Sequence, residues 1–105
     1  MIINLTPIRA DWMQPTVSVA GDVLTVAGDV LDFSQLAEGG SLPPDAVDCP
    51  WVVEAYITRK GGAVVVTLLL PIGPNAPEES RFPSPINMTF DGPVELPPYS
   101  AEDAA

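Results

Sequence analysis

The sequence contains no histidine and a single cysteine, Cys49. Those shortages exclude an imidazole-based catalytic triad, a Cys/His zinc site built by this chain alone, and any internal disulfide. Cys49 precedes Pro50 and reads as a small buried filler, since no imidazole is present to activate its thiol. Cations are scarce as well. Arg9, Arg59, Lys60 and Arg81 stand against 14 acidic residues in 105, for a formal net charge of −10. Four cations cannot make a stripe that tracks phosphates, so neither nucleic acid nor an anionic membrane is expected as a direct partner. No apolar run approaches the roughly 20 residues of a membrane helix. The N-terminus lacks the basic-then-apolar order of a secretory signal, so no membrane association is expected.

What the chain does have is strand periodicity. With 47% hydrophobic residues it can bury a core, and its length suits one small domain. Val17 and Val19, then Val23, Leu24 and Val26, flank Gly21-Asp22, a two-residue hairpin signal. A second turn at Gly28-Asp29 leads into residues 30–33. Residues 51–59 alternate from Trp51 onward, break at Lys60-Gly61-Gly62, and resume as an apolar run over 63–70. This is the clearest hairpin, and its second arm, apolar on both faces, reads as a central strand. Residues 2–6 and 86–90 read as further strands, and Asp91-Gly92 turns the chain into residues 94–96. Helix signals are confined to possible single turns at 33–38 and 41–47. The expected fold is all-β: a small antiparallel sandwich or partly open barrel built from hairpins, with a long Pro-rich loop. Residues 1–96 form the β domain, and 97–105 are expected as an acidic, flexible tail.

Proline placement organises the chain. Eight of the 13 prolines lie between Pro71 and Pro98, and five of the 15 residues in 71–85 lack an amide donor. That segment is expected to be a rigid, extended loop rather than a ladder strand. A loop of this length in a compact domain serves either a function or as a packed strap.

The chemistry-bearing residues favour contact over catalysis. Glu78 and Glu79 are neighbours, and Asp29 and Asp32 flank a strand start, but sequence proximity does not make two carboxylates converge on one cleft. No enzymatic activity and no cofactor are therefore expected. Asp22, Asp29 and Asp32 match no calcium-loop spacing, and turn chemistry accounts for Asp22 and Asp29. The candidate contact residues are Pro74, Asn75, Pro77, Glu78, Glu79, Arg81 and Phe82 in the loop, with Trp12 in a polar connection. Trp12 is read as either a core cap or a contact residue; Trp51 as core. Ile2, Ile3, Asn4 and Leu5 carry no charge and no proline, and are read as an unguarded edge strand open to pairing. That reading implies a homo-oligomer or a partner strand.

Residues 1–9, Gly21-Asp22-Val23-Leu24-Thr25-Val26, Leu31-Asp32-Phe33-Ser34, residues 69–83 with Gly73-Pro74-Asn75-Ala76-Pro77-Glu78, and residues 91–99 together resemble a family of short proteins, mostly uncharacterised, of bacteriophage and prophage genomes encoded near tail-fibre genes. The resemblance covers most of the chain, with residues 37–50 the least diagnostic. It brings no catalytic residues. It implies late phage morphogenesis: a tail structural or accessory protein that contacts other tail proteins, in the virion or the host cytoplasm. Two alternatives accompany it. One is a tail assembly factor absent from the mature particle; the other is an acidic host-directed inhibitor that docks on a basic nucleic-acid-binding protein.

Overall fold

The computed structural model describes residues 1–11, 13–43, 46–47, 49–52 and 56–100. Trp12, residues 53–55 of the expected alternating strand, and 101–105 of the expected tail lie outside these. Among the described residues nine strands form two sheets. They are β1 (Ile2–Arg9), β2 (Val17–Ala20), β3 (Val23–Val26), β4 (Asp29–Asp32), β5 (Ser41–Leu42), β6 (Ile57–Lys60), β7 (Ala63–Ile72), β8 (Ile86–Asn87) and β9 (Gly92–Pro93). A five-stranded sheet has the order β5-β6-β7-β1-β8, and a four-stranded sheet the order β4-β3-β2-β9. The all-β class holds.

Local chemistry accounts for the hairpins. Gly61 and Gly62 join β6 to β7 with φ of 60° and 82°, the double left-handed geometry that matches strand twist. The β3–β4 turn is Ala27-Gly28, one residue earlier than the sequence suggests. It places Ala27 at φ 50°, a conformation that costs a Cβ-bearing residue about 1 kcal/mol. Alternation then selects the core. Val64, Val66 and Leu68 of β7 face Val17, Val19, Leu24, Val26 and Leu31 of the second sheet in one cluster closed by Ile3, Phe33 and Ile57. Leu70, Ile72 and Ala76 extend it as a smaller cluster at one end. Each of the larger side chains contributes about 1.5–3 kcal/mol by leaving water.

Hairpin order does not extend to the centre of the larger sheet. β1 pairs with β7 in parallel through eight residues, from Ile2 opposite Val65 to Arg9 opposite Ile72. On its other side Ile2 and Ile3 pair with Asn87 and Ile86 of β8. Ile2 and Ile3 are therefore not an open edge, while Asn4 and Leu5 pair with β7 on one side and with no described strand on the other. Ile3 is fully buried, and Ile2, Asn4 and Leu5 are half-buried. The homo-oligomer expectation thus loses Ile2 and Ile3 as a free edge.

Two other expectations are corrected. Pro71 does belong to a ladder strand. Beyond Leu69, β7 has β1 as its only described strand neighbour. The Ile72 carbonyl accepts from the Ala10 amide, whereas the Pro71 carbonyl faces the other way and accepts from Gln14 Nε2 at 3.1 Å. The missing proline amide thus falls on the side with no ladder bond to make. Residues 97–100, expected in a fraying tail, are bonded into the domain. The Tyr99 hydroxyl donates to the Ala10 carbonyl at 2.8 Å, and the Pro97 and Pro98 carbonyls accept from Gln14 Nε2 and Ser80 Oγ at 2.8 and 2.6 Å.

The two sheets are joined by Arg59. From β6 its guanidinium, 12% exposed, donates to the Phe33 carbonyl at 2.9 Å, to the Leu36 carbonyl and to the Gly62 carbonyl at 3.1 Å. It also pairs with the Asp22 carboxylate at 3.1 Å, at the tip of the β2–β3 hairpin. The carbonyls of the single turn at 33–38 are captured by this side chain, and no helix forms there. Glu38 completes the join by accepting from the Gly61 and Gly62 amides at 3.0 and 2.6 Å. Because Asp22 is 42% exposed, most of Arg59's contribution comes from the carbonyls and little from the ion pair. Arg59→Met keeps the aliphatic stem and strands those acceptors. It is expected to lower unfolding free energy by about 2–4 kcal/mol in urea titrations, with Arg59→Lys recovering less than half.

Candidate contact surface

The Pro-rich segment leaves β7 at Gly73 and turns back on itself. The Gly73 amide donates to the Tyr99 carbonyl at 2.9 Å, and the Ala76 amide to the Gly73 carbonyl at 3.3 Å. One helical turn follows, α1 (Glu78–Arg81), with Pro77 at its N-cap. A proline suits that place because the cap residue is extended and the amide that proline lacks would have no partner within the helix. Glu78 and Glu79 stand in the first turn and Arg81 in the last, each matching the sign of the helix dipole. The sequence reading of 71–85 as extended chain missed this turn.

Two side chains pin the segment. Ala76 packs with Leu70 and Ile72. Ser80 is 0% exposed and holds the Pro98 carbonyl at 2.6 Å. With those anchors inward, Pro74, Asn75, Glu78, Glu79, Arg81 and Phe82 are all exposed, and Pro77 is half-buried. Phe82 is 74% exposed. Seven of the eight loop and connection candidates thus have a described position, and six of them are on the surface.

Phe90, 68% exposed, lies past the end of the ladder, which stops at Asn87 instead of running over the expected 86–90. Its position just before the Asp91-Gly92 turn was the available signal. Asp91 is occupied in that turn, accepting from the Gly21 amide at 2.7 Å. Met13 and Tyr56 are further exposed apolar residues that carried no sequence signal.

A cleft of about 270 Å³ adjoins the segment, lined by Arg9, Ala10, Asp11, Ile72, Gly73, Pro74 and Tyr99. It lies just below the usual size of small-molecule pockets. Glu78 and Glu79, as consecutive helical residues, project about 100° apart. Asp22 is committed to Arg59, and Asp32 accepts from the Ser34 amide at 2.9 Å, which holds its carboxyl below the ordinary range. Among the described residues no three His, Cys, Asp or Glu side chains are grouped to hold a metal ion.

Burial pushes the Cys49 thiol above its ordinary value of 9.0, and the nearby Asp29 carboxylate acts in the same direction, against lowering bonds from the Trp51 and Val52 backbone. The folded thiol therefore keeps its proton at a pH where the unfolded thiol has lost it. Its contribution to stability is complete below the ordinary value and is lost as pH rises from there through the raised value of the folded thiol. Iodoacetamide at pH 8 is expected to label Cys49 at least about tenfold more slowly in native protein than in urea, where the thiol is both exposed and more readily ionised. At Gly73 a Cβ would lie 2.8 Å from Tyr99 Cε1. Gly73→Ala is expected to displace that ring and cost about 1–3 kcal/mol, read as a lower thermal midpoint and a changed tyrosine environment in near-ultraviolet circular dichroism.

Comparison of the chain with family models, with curated proteins and with solved structures gives no match in any of the three.

Proposed function

We propose that this is a non-enzymatic, tail-associated protein of a bacteriophage or prophage, acting through protein–protein contacts with other tail proteins. Residues 72–83 form its contact element. The tail context comes from the resemblance of the sequence to phage proteins encoded near tail-fibre genes. The observation that carries the contact reading is the exposure of Phe82 on an anchored support. A solvated aromatic ring is held beside Arg81 by a segment whose other side is fixed through Ala76 and Ser80. Aromatic and Arg side chains are the types that dominate interface centres. Pro83 and Pro85 restrict the chain just after Phe82, so little conformational entropy remains to be lost on binding.

The test is quantitative mass spectrometry of particles purified after inducing a lysogen that carries the gene. A fixed ratio to the tail-tube protein is expected, falling at least about tenfold for Phe82→Glu, a change of about 1.4 kcal/mol or more in the contact. Absence from particles with abundance in the lysate contradicts a structural tail role and leaves the assembly-factor or host-directed alternatives. Unchanged incorporation of Phe82→Glu contradicts the assignment of the contact element.

A further inference from the structure

Two sheets have four terminal strands, and they are unequally protected. β5 and β8 are two residues long, and β9 is two residues including Pro93. Short length and proline are the usual ways to blunt an edge. β4 is the exception, with four residues at the end of its sheet. Its register fixes which backbone groups are committed. The Phe33 amide donates to the Asp22 carbonyl at 2.9 Å, so the hydrogen-bonded pairs with β3 are 22/33, 24/31 and 26/29. The amides and carbonyls of Val30 and Asp32 therefore point away from β3, and no strand among the described residues pairs with them.

Side chains add chemistry to that open ladder. Val30, 67% exposed, and Asp32, also exposed, share the outer face, while exposed Asp29 stands at the strand start. A second copy would bring its own Asp29 and Asp32 to the same edge, on a chain already carrying −10. A cationic strand meets neither penalty. We propose that the outer edge of β4 receives an extended segment of a basic partner protein, with an apolar β-branched residue beside Val30 and a Lys or Arg two positions away beside Asp32. Main-chain bonds to Val30 and Asp32 supply the attachment, and the carboxylates select the sign of charge. The inference goes beyond the contact reading, because it concerns β4 rather than residues 72–83.

The probe is a blocked heptapeptide of sequence Thr-Lys-Thr-Val-Thr-Lys-Thr, added to the full-length protein and followed by nuclear magnetic resonance, with a control carrying Glu for Lys. The Lys peptide is expected to slow amide exchange of Val30 and Asp32 at least about tenfold at saturation, as new ladder bonds form. Its affinity should fall at least about threefold between about 50 mM and about 300 mM salt, and the Glu peptide should leave both amides unchanged. Val30→Pro removes an outward amide without touching the bonds to β3, and Val30→Lys repels the peptide; each should abolish the effect while the Leu31 amide stays protected. Equal response to both peptides, perturbation centred on Phe82, or no change at Val30 and Asp32 would overturn the proposal. Because the assay uses isolated protein, its failure leaves the particle measurement intact, and the converse holds.

Discussion

The architecture depends on one guanidinium. Arg59 stands on β6 of the larger sheet, and apart from the Gly62 carbonyl of its own hairpin its acceptors are Asp22 at the tip of the β2–β3 hairpin and the carbonyls of Phe33 and Leu36. A connection without regular structure leaves backbone carbonyls that burial would orphan. Here one fixed fork of donors satisfies two of them together, and a Lys ammonium cannot reproduce that geometry. The same connection is tied through its backbone, because the Gly39 amide donates to the Arg59 carbonyl and the Arg59 amide to the Gly40 carbonyl. Of the four cations, Arg59 serves the interior, whereas Arg9, Lys60 and Arg81 are exposed.

A comparable arrangement closes the other end of the domain. Tyr99 lies over Gly73, its hydroxyl reaching Ala10, while Gln14 bridges the Pro71 and Pro97 carbonyls. These bonds join the ends of β1 and β7 to the C-terminal segment, and Ser80 adds α1 to the same assembly. At the opposite end of β1, the Met1 ammonium and carbonyl both bond to Met88. The consequence for function is a division of labour along the Pro-rich segment. Its small residues, Gly73, Ala76 and Ser80, face the protein and fix the backbone. Its large or charged residues face solvent on a support that needs little ordering.

What was legible in the sequence follows from range. The hairpin at Gly61-Gly62, the turn at Gly21-Asp22 and the central place of β7 are written in neighbouring residues, where turn chemistry and period-2 alternation act. The parallel pairing of β1 with β7 is not, because it joins positions about 60 residues apart through a crossover that contains three of the four strands of the smaller sheet. Ile2, Ile3, Asn4 and Leu5 looked like an edge for the reason that buried parallel strands do: neither location shows charge. The exposure of Glu78, Glu79, Arg81 and Phe82 was readable from their polarity and proline flanks. The helical turn that presents them was not, since it is stabilised by the Pro77 cap position and by Ser80 against the distant Pro98. The open edge at Val30 was not legible, because Asp29 reads as a turn residue and nothing local shows which strand lies at the end of a sheet.

The central claim is that irregular segments are held by side-chain and C-terminal straps as firmly as the strands, leaving residues 74–75, 78–79 and 81–82 as the presented surface. Native-state amide hydrogen exchange tests this directly, residue by residue. The account predicts that the Gly39, Gly62 and Gly73 amides exchange with protection approaching that of Val66 and Leu68 in β7, while Asn75 and Glu79 exchange fast. Rapid exchange at Gly39 and Gly73, with protection confined to the strand ladders, would contradict it.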